Sequence, residues 1–243
     1  MLGPVPPSTT ILSARPQGTV SVWRASAPYV GVKDAWTLGV LRRGRVRHWS
    51  AGRSRALTEG AVVFARPGDV QRLTPLGDGV EVEVLQLGEP GALASLPRRV
   101  PYLEAHQPEA TPFRRPGSEP EDLVAAWAAL PADAHPANEA VERARRLLFV
   151  SHAERLSLEA VARAVGCGKF ELARAFRSHA GIAPHAYRTR LRVQRAKALL
   201  RRGTPAAETA QRVGFYDQSH LHRHFRRLVG LTPRAYARQF GDS

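Results

Sequence analysis

The amino-acid sequence predicts an α+β protein of two domains, an antiparallel β domain followed by an all-α domain. Short apolar runs separated by turn residues fill residues 19–87, whereas residues 161–236 contain one helical pattern written twice. Charge divides in the same way: residues 137–243 hold 21 Lys plus Arg against 8 Asp plus Glu, a net +13, and residues 1–136 hold 15 against 13, a net +2. A chain of 243 residues suggests one or two domains and is long enough to bury a sizeable core.

Residues 1–18 are rich in Pro, Ser and Thr and lack an apolar period, so the sequence predicts a flexible N-terminal arm there. The first residues lack the basic, apolar and small-residue regions of a secretion signal, and no run approaches the roughly 18 apolar residues of a membrane span. We therefore expect a cytoplasmic protein with no membrane partner. Cys167 is the only cysteine, which excludes an intramolecular disulfide and a zinc site built from cysteines.

Residues 19–87 have the pattern of an antiparallel sandwich or barrel. The apolar runs are rich in Val, Leu and Trp, and glycines fall eight residues apart at Gly44, Gly52, Gly60 and Gly68. Short strands at even spacing with glycine turns are typical of antiparallel sheets rather than of alternating β and α units.

A barrel of this size either holds one small ligand or is filled by its own side chains. The candidates for lining a ligand pocket are Trp23, Trp36, His48, Trp49 and Phe64. Arg42 or Arg47 would then meet an anionic ligand. The alternative is that the aromatic residues form an ordinary core, and the sequence leaves both interpretations open.

The stretch from Gly88 to Pro120 is rich in proline, which predicts an irregular connection. Helical spacing returns over residues 120–130 through Leu123, Trp127 and Leu130. A helix is therefore expected within this connecting segment.

The repeat in residues 161–236 predicts two helix-turn-helix units, over 157–179 and 205–227. Eight positions recur 48 or 49 residues later with the same or an equivalent residue: Ala162, Val165, Gly166, Leu172, Phe176, Gly181, Pro184 and Tyr187 are matched by Ala210, Val213, Gly214, Leu221, Phe225, Gly230, Pro233 and Tyr236. The pattern in each copy predicts a short helix, a glycine turn and a second helix whose outer face carries polar and basic residues. Ser157 and Thr204 are the expected N-caps.

The alternative is a pair of ordinary helical hairpins with a solvated basic face. Duplication and charge both favour a nucleic-acid interface, because the net +13 of residues 137–243 supplies the sequence-independent attraction to phosphate that such binding needs. Double-stranded DNA is the expected partner.

The C-terminal half resembles the DNA-binding module of AraC/XylS-type transcription regulators in the runs LSLEAVARAVG, FELARAFRSHAGIAPHAYRTRLRVQRAKALL and ETAQRVGFYDQSHLHRHFRRLVGLTPRAY. The resemblance implies a DNA-binding domain over 137–240. In that domain a long helix, about Pro184 to Arg201, joins the two units, and each unit inserts its second helix into one of two adjacent major-groove segments. The sequence departs from the family at Gly168, where Ser or Thr often caps the first recognition helix.

The N-terminal half resembles the cupin-like sensor domain that precedes many such modules, with the glycine and PGD turns of EGAVVFARPGD as the match. This resemblance implies a cupin-like barrel for sensing or dimerisation over 19–100 and a connecting segment over 101–136. In the family, helices placed like the one over 120–130 often pair two subunits. Packing on its own barrel is the alternative for this helix.

Many cupins are metal enzymes, which need clustered histidine and carboxylate ligands. Residues 19–87 contain only His48 among histidines, and Gln71 and Arg72 follow the PGD turn where a ligand histidine would stand. On the second recognition helix only His220 and His224 share a face, and they are expected to face DNA instead of a metal. We therefore expect no cofactor, no metal and no enzyme activity.

Outward residues near the start of each recognition helix are the expected base readers. These are Phe170, Ala173, Arg174, Gln218, Ser219, His220, His222 and Arg223. The residues expected to contact phosphate are Lys169, Arg177, Arg188, Arg226 and Arg227. A thymine methyl suits Phe170 or Ala173, guanine suits Arg174, and adenine suits Gln218.

These features predict a sequence-specific DNA-binding transcription regulator of the AraC type, controlled by a small ligand or by dimerisation through the β domain. RNA polymerase, a small-molecule effector and a second copy of the chain are the expected partners besides DNA. Two alternatives stay open: a metal-dependent cupin enzyme, and a ligand-independent DNA-binding protein whose barrel only dimerises.

Overall fold

The computed structural model describes residues 8–15, 18–87, 100–115, 119–133 and 138–241. The chain divides into two compact units, Met1–Pro136 and Ala137–Ser243. The first contains two antiparallel β sheets and the second is helical, so the predicted fold class is confirmed. Among the described residues no helix is both long and apolar enough to cross a bilayer.

The described part of the β unit contains ten strands: β1 (Ser8–Arg15), β2 (Gly18–Ala25), β3 (Tyr29–Val32), β4 (Trp36–Arg43), β5 (Val46–Ser50), β6 (Arg53–Leu57), β7 (Val62–Ala65), β8 (Val70–Pro75), β9 (Val80–Leu87) and β10 (Tyr102–Leu103). One sheet has the order β1-β2-β9-β4-β7-β10 and the other β3-β8-β5-β6. Every neighbouring pair of strands is antiparallel.

Strand β1 corrects the prediction of a flexible arm over residues 1–18. Residues 8–15 pair with β2 from Ser8 opposite Arg24 to Arg15 opposite Gly18, with a register shift between Ile11 and Ser13. The β-branched run of residues 9–11 suits a strand, and β2 has an edge for it because β9 occupies only the other side of β2. Residues 1–7 and 16–17 of the predicted arm lie outside the described residues.

The connecting segment contributes to the core of the β unit. After β10 come a 3₁₀ turn (Pro108–Ala110), α1 (Thr111–Arg114) and α2 (Pro120–Ala129), where the sequence predicts a helix over 120–130. Phe113 and Trp127 are buried in one apolar cluster with Phe64 of β7, and the rings of Trp127 and Phe64 lie 4.9 Å apart. The apolar stripe of α2 thus packs on its own β unit, which was one of the two alternatives. Residues 88–99, 116–118 and 134–137 of the predicted connection and domain boundary lie outside the described residues.

Seven helices form the described part of the second unit: α3 (Glu139–Val150), α4 (Leu158–Val165), α5 (Lys169–Ala180), α6 (Pro184–Arg201), α7 (Ala206–Arg212), α8 (Gln218–Val229) and α9 (Pro233–Phe240). The sequence repeat becomes a repeated aromatic contact. Phe176 meets Tyr187 and Phe225 meets Tyr236, each pair with ring centroids 5.4 Å apart and in edge-to-face geometry.

The start of α7 corrects one predicted cap. Thr204 is not the N-cap, because the helix begins after Pro205 and no side chain caps it. The backbone oxygen of Thr204 instead accepts a hydrogen bond from the Thr209 hydroxyl at 3.3 Å. The buried hydroxyl of Thr209 thus has a hydrogen-bond partner.

Candidate nucleic-acid interface

The first helix-turn-helix unit consists of α4 and α5. Ser157 caps α4, as predicted, by accepting a hydrogen bond from the backbone N–H of Ala160 at 3.1 Å. Gly166 ends α4 with φ of +79°, a conformation that glycine adopts without the steric cost of a side chain. Gly168 precedes α5, and its N–H donates to Glu171 Oε2 at 3.3 Å. Glu171 therefore satisfies one free amide where a side-chain cap is missing.

The second unit consists of α7 and α8 and begins its recognition helix differently. Asp217 caps α8 by accepting a hydrogen bond from the backbone N–H of His220 at 2.7 Å. Gly214 occupies the position equivalent to Gly166 of the first unit and has a similar φ of +85°. Both recognition helices thus start after a left-handed glycine, but only the second has a capping side chain.

Helix α5 buries Leu172, Phe176 and Ala180 and presents a mixed basic and apolar face. The exposed side chains on that face are Lys169, Phe170, Arg174 and Arg177, and Ala173 beside them is half-buried. Phe170 is 80% exposed. An aromatic ring left in water at the start of a recognition helix suits an apolar contact with a base.

Helix α8 buries Leu221 and Phe225 and exposes a polar, basic face. Most of its predicted DNA contacts lie on that exposed face: Gln218, Ser219, His222, Arg223, Arg226 and Arg227. Arg174 and Arg223, which occupy equivalent places in the two copies, are both exposed. Most of the predicted readers of each recognition helix therefore lie on one exposed face of that helix.

His220 differs from its neighbours on α8. Its ring lies 5.2 Å from that of Phe215 and 4.7 Å from that of His224, and its Nδ1 accepts a bond from the Tyr216 N–H at 3.5 Å. The side chain is half-buried and supports the turn before α8. Its assignment as a base reader stays a prediction, and these contacts argue against it.

His224 is held neutral by its surroundings. Burial, followed by the neighbouring His220, Arg227 and Arg223, lowers the pKa of His224 to about 4. Its Nδ1 lies 3.0 Å from Nη2 of Arg227. Because arginine can only donate, this nitrogen of His224 is the acceptor.

Arg188 has a contact within the protein, and its predicted contact with phosphate stays a prediction. Its Nη1 donates to the backbone oxygen of Leu156, which ties α6 to the loop before α4. Arg192, one turn further along α6, was not predicted as a functional residue and makes two such bonds, to the backbone oxygens of His152 at 2.6 Å and Glu154 at 3.1 Å. Both arginines stand at helical spacing in the run RTRLR, and that spacing was the available signal.

Tyr216 is a second residue that the sequence analysis missed. It is 76% exposed immediately before α8, with the guanidinium of Arg155 5.7 Å from its ring centroid. Its place in the run GFYDQSH, next to the cap Asp217, was the available signal.

The five predicted pocket residues of the β unit do not share one set of contacts. Trp36 and Phe64 both pack on Trp127, whereas Trp23 packs on Tyr29 at 5.5 Å. The guanidinium of Arg72 lies 5.5 Å from the ring centroid of Trp49, and the ring centroids of His48 and Tyr102 are 6.2 Å apart. Of the two arginines proposed for an anionic ligand, Arg42 pairs with Glu83 at 2.9 Å and Arg47 is exposed.

His48 is a buried polar residue of the β unit, 1% exposed. Burial, followed by the positive charges of Lys33 and Arg53, lowers the pKa of His48 to about 3. Its Nε2 has no hydrogen-bond partner among the described residues. Within that same part of the chain no three His, Cys, Asp or Glu side chains are arranged to hold a metal ion.

An open cleft of about 580 Å³ lies elsewhere, where the turns after β2, β4 and β8 meet. Arg24, Arg43 and Arg45 line it together with Asp78 and Glu81. None of the five predicted pocket residues contributes to this cleft.

Comparison with known proteins places the similarity mainly in the helical unit. Residues 161–239 match a helix-turn-helix domain family. An uncharacterized HTH-type transcriptional regulator of Bacillus subtilis, YbfI, is 36% identical over 70 residues, which cover 29% of this chain and 26% of the relative. The HTH-type transcriptional activator RhaS of Salmonella arizonae is 37% identical over 83 residues, 34% of this chain and 30% of the relative. The matched region thus spans less than a third of either relative.

The β unit is similar to solved structures in its fold. A crystal structure of ToxT from Vibrio cholerae covers 94% of this chain and 100% of its own, with a TM-score of 0.60 and 13% sequence identity. Another ToxT structure, at 12% identity and a TM-score of 0.56, is described as bound to an unsaturated fatty acid. At these identities the likeness shows a shared two-domain fold.

Proposed function

We propose that this chain is a DNA-binding transcription regulator of the AraC type and reads a two-part DNA site through α5 and α8. The observation that carries the proposal is the repeated presentation of arginine. Arg174 and Arg223 stand at equivalent positions of the two recognition helices, and both are exposed.

The chemistry of the two exposed faces supports different base preferences. On α5 the exposed ring of Phe170 suits a thymine methyl, and the Arg174 guanidinium suits the two acceptors of guanine. On α8 the Gln218 amide suits adenine, and Arg223 again suits guanine. We infer two boxes of unlike sequence, because Lys169 and Phe170 of α5 are replaced by Gln218 and Ser219 on α8.

Arg177 and Arg226, one turn further along their helices, are the proposed phosphate contacts. Both are exposed. They add to a charge of +13 over residues 137–243, which attracts the DNA backbone without regard to sequence.

Control through the β unit is the finer part of the proposal. His48 Nε2 is a buried polar atom without a partner among the described residues, and the positive charges of Lys33 and Arg53 act on that imidazole. A buried nitrogen without a partner supports a small effector that carries a hydrogen-bonding group. A ToxT structure of the same fold is described as bound to an unsaturated fatty acid, which supports control by a small molecule.

A ligand-independent regulator is the second candidate for the β unit. The aromatic packing of Trp36 and Phe64 on Trp127 supports it, since these rings fill their part of the interior with side chains. In this candidate the β unit only pairs two copies of the chain. RNA polymerase is the proposed protein partner in both, by analogy with the activator RhaS.

Selection of bound sequences from a random DNA pool with the full chain tests the DNA-reading proposal. The expected result is two enriched boxes about 10 base pairs apart, since we propose that α6 holds the recognition helices one helical turn of DNA apart. Affinity for the enriched site should also fall with salt, at a log–log slope of about −0.9 for each phosphate neutralised. A pool without enrichment, or a slope near zero, would contradict the proposal.

A further inference from the structure

We infer that residues 151–156, here called the bridging loop, set the spacing at which the two recognition helices meet DNA, with Arg192 and Gly214 as positioning residues. The inference rests on the proposed function, because spacing matters only if both α5 and α8 read DNA. The bridging loop joins α3 to α4 and touches α6 and the turn before α8.

The first link runs from the bridging loop to α6. Arg192 donates from Nε to the backbone oxygen of His152 at 2.6 Å and from Nη2 to that of Glu154 at 3.1 Å, and Arg188 donates to Leu156. Burial, followed by the neighbouring Arg188, lowers the pKa of Arg192 to about 10, so the guanidinium remains charged at neutral pH. Hydrogen bonds from a charged donor in a half-buried site are among the stronger ones in proteins.

The second link runs from the bridging loop to the turn of the second unit. A Cβ added at Gly214 would lie 2.3 Å from the backbone oxygen of Ala153 and 2.6 Å from its Cα. The loop backbone therefore lies directly on the glycine. The guanidinium of Arg155, 5.7 Å from the Tyr216 ring, adds a side-chain contact two residues further along the same turn.

These two links converge on the second recognition helix. The Arg192 guanidinium lies 5.9 Å from the ring of Phe215. That ring in turn contacts His220 at 5.2 Å and His224 at 5.8 Å, both on α8. The same loop leads directly into Ser157, the cap of α4 in the first unit. One short segment thus contacts the supports of both units.

The first unit has no such contact at its own turn. A Cβ added at Gly166 would meet no atom of the described residues within 4 Å, although its φ of +79° matches the +85° of Gly214. Among the described residues, the close approach of a backbone to the turn glycine is therefore found in the second unit and not in the first.

Two links restrict rotation as well as distance. Helix α6 alone fixes how far apart the units lie along its axis, but a single helix still bends and twists. An error of one base pair displaces a DNA box by about 3.4 Å and rotates it by about 35°. A second link through the bridging loop resists that rotation.

The test uses the full chain and DNA carrying the two selected boxes at their preferred separation or with one base pair inserted or deleted. For the unaltered chain we expect the insertion or deletion to weaken binding on the order of 10- to 100-fold. For Arg192→Ala we expect the loss to shrink to about threefold, with Arg192→Lys in between because a single ammonium cannot hold two carbonyls in the same way. Gly214→Ala should also shrink it, whereas the matched control Gly166→Ala should retain the normal loss.

The outcomes separate the inference from the proposed function. If the unaltered chain enriches no boxes, the proposed function fails. If the unaltered chain enriches boxes but binds them equally well at every separation, the proposed function stands and the inference is wrong. The inference is also wrong if Arg192→Ala is as sensitive to an inserted or deleted base pair as the unaltered chain. Circular dichroism checks folding, and if Gly214→Ala does not fold, the two Arg192 variants decide because they add no atoms at the contact.

Discussion

The helix-turn-helix units built from α4–α5 and α7–α8 share a core but differ in how their turns are held. In both, an edge-to-face aromatic pair, Phe176 with Tyr187 or Phe225 with Tyr236, closes the unit at the same centroid distance of 5.4 Å. The turn of the first unit is open around its glycine, and its recognition helix lacks a side-chain cap. The second turn lies against the bridging loop and has the cap Asp217.

The two units thus share their apolar contacts and differ in their caps and turn contacts. The repeated core determines where each recognition helix lies, so it has to be the same in both copies. Caps and turn contacts determine how firmly each helix start is held, and these differ. We therefore expect the first recognition helix to adapt more readily to DNA than the second.

The largest expected difference between the units concerns the two glycines. Gly166→Ala should destabilise the fold by about 1–2 kcal/mol, the cost of a side chain at positive φ. Gly214→Ala should cost about 2–5 kcal/mol, because the overlap with Ala153 adds to the same backbone strain. Denaturant unfolding of both variants measures this. Equal losses would mean that the bridging loop moves aside without cost.

Replacing the two arginines proposed to contact bases should have the next largest effect, which is on DNA binding. Arg174→Ala or Arg223→Ala should weaken binding to the selected site by about 1–3 kcal/mol, because each variant loses a bidentate contact with guanine. Arg177→Ala and Arg226→Ala are the matched controls and should weaken selected and unrelated DNA alike. Titration of both kinds of DNA distinguishes the two behaviours. A uniform loss for Arg174→Ala would make that residue a phosphate contact.

The caps should differ by a smaller amount. Asp217→Ala should destabilise the fold by about 1 kcal/mol through loss of the hydrogen bond to the His220 N–H. Gly168→Ser should stabilise it by a few tenths of a kcal/mol, since glycine is only slightly worse than serine at an N-cap. Thermal unfolding of the full chain at equal protein concentration compares them. A loss on Gly168→Ser would show that Glu171 already meets the need for a cap.

The smallest expected difference is in pH dependence. Folding lowers the pKa of His224 from 6.5 to about 4, so the unfolded chain binds the proton more readily between these values. The contribution of neutral His224 to stability is therefore present above about pH 6.5 and is lost as the pH falls toward 4. The first unit has Ala175 at the equivalent place and lacks this sensitivity.

A comparison of His224→Gln with the unaltered chain at pH 7 and pH 5 isolates this effect. The variant should lose less stability on acidification, by on the order of a few tenths of a kcal/mol because solvent screens a side chain this exposed. His48 and His152 titrate identically in both proteins and cancel. An identical acid loss in the two proteins would assign the effect to those residues instead.

The helical unit could be predicted in detail because its signals are local. The cap Ser157 and the start of α5 at Lys169 follow from residues within one helical turn, and the structure has both. The prediction of Thr204 as an N-cap was wrong because Pro205 has no N–H and fits the cap position as well as the first turn. Two starts for α7 were therefore compatible with the sequence. The roles of Arg188 and Arg192 depend on a loop more than 30 residues away, which no local pattern shows.

The β unit could be predicted only in outline, because strand partners are distant in sequence. Short apolar runs between evenly spaced glycines identified antiparallel strands, but β1 was missed since its strand character depends on the open edge of β2. The five pocket residues were chosen by type. Trp23 and Trp36 flank the same strand, β9, but stand opposite Val82 and Leu87, which are five residues apart. The two rings therefore take opposite faces of that sheet, and this follows from the strand register.

The most direct test of two-box reading is to select bound sequences from a random pool with three proteins: the unaltered chain, Arg174→Ala and Arg223→Ala. We predict that Arg174→Ala loses base preference in one box only and Arg223→Ala in the other, with the separation of about 10 base pairs unchanged in both. Loss of preference in the same box for both variants, or unchanged preference throughout for Arg174→Ala, would contradict reading by both recognition helices.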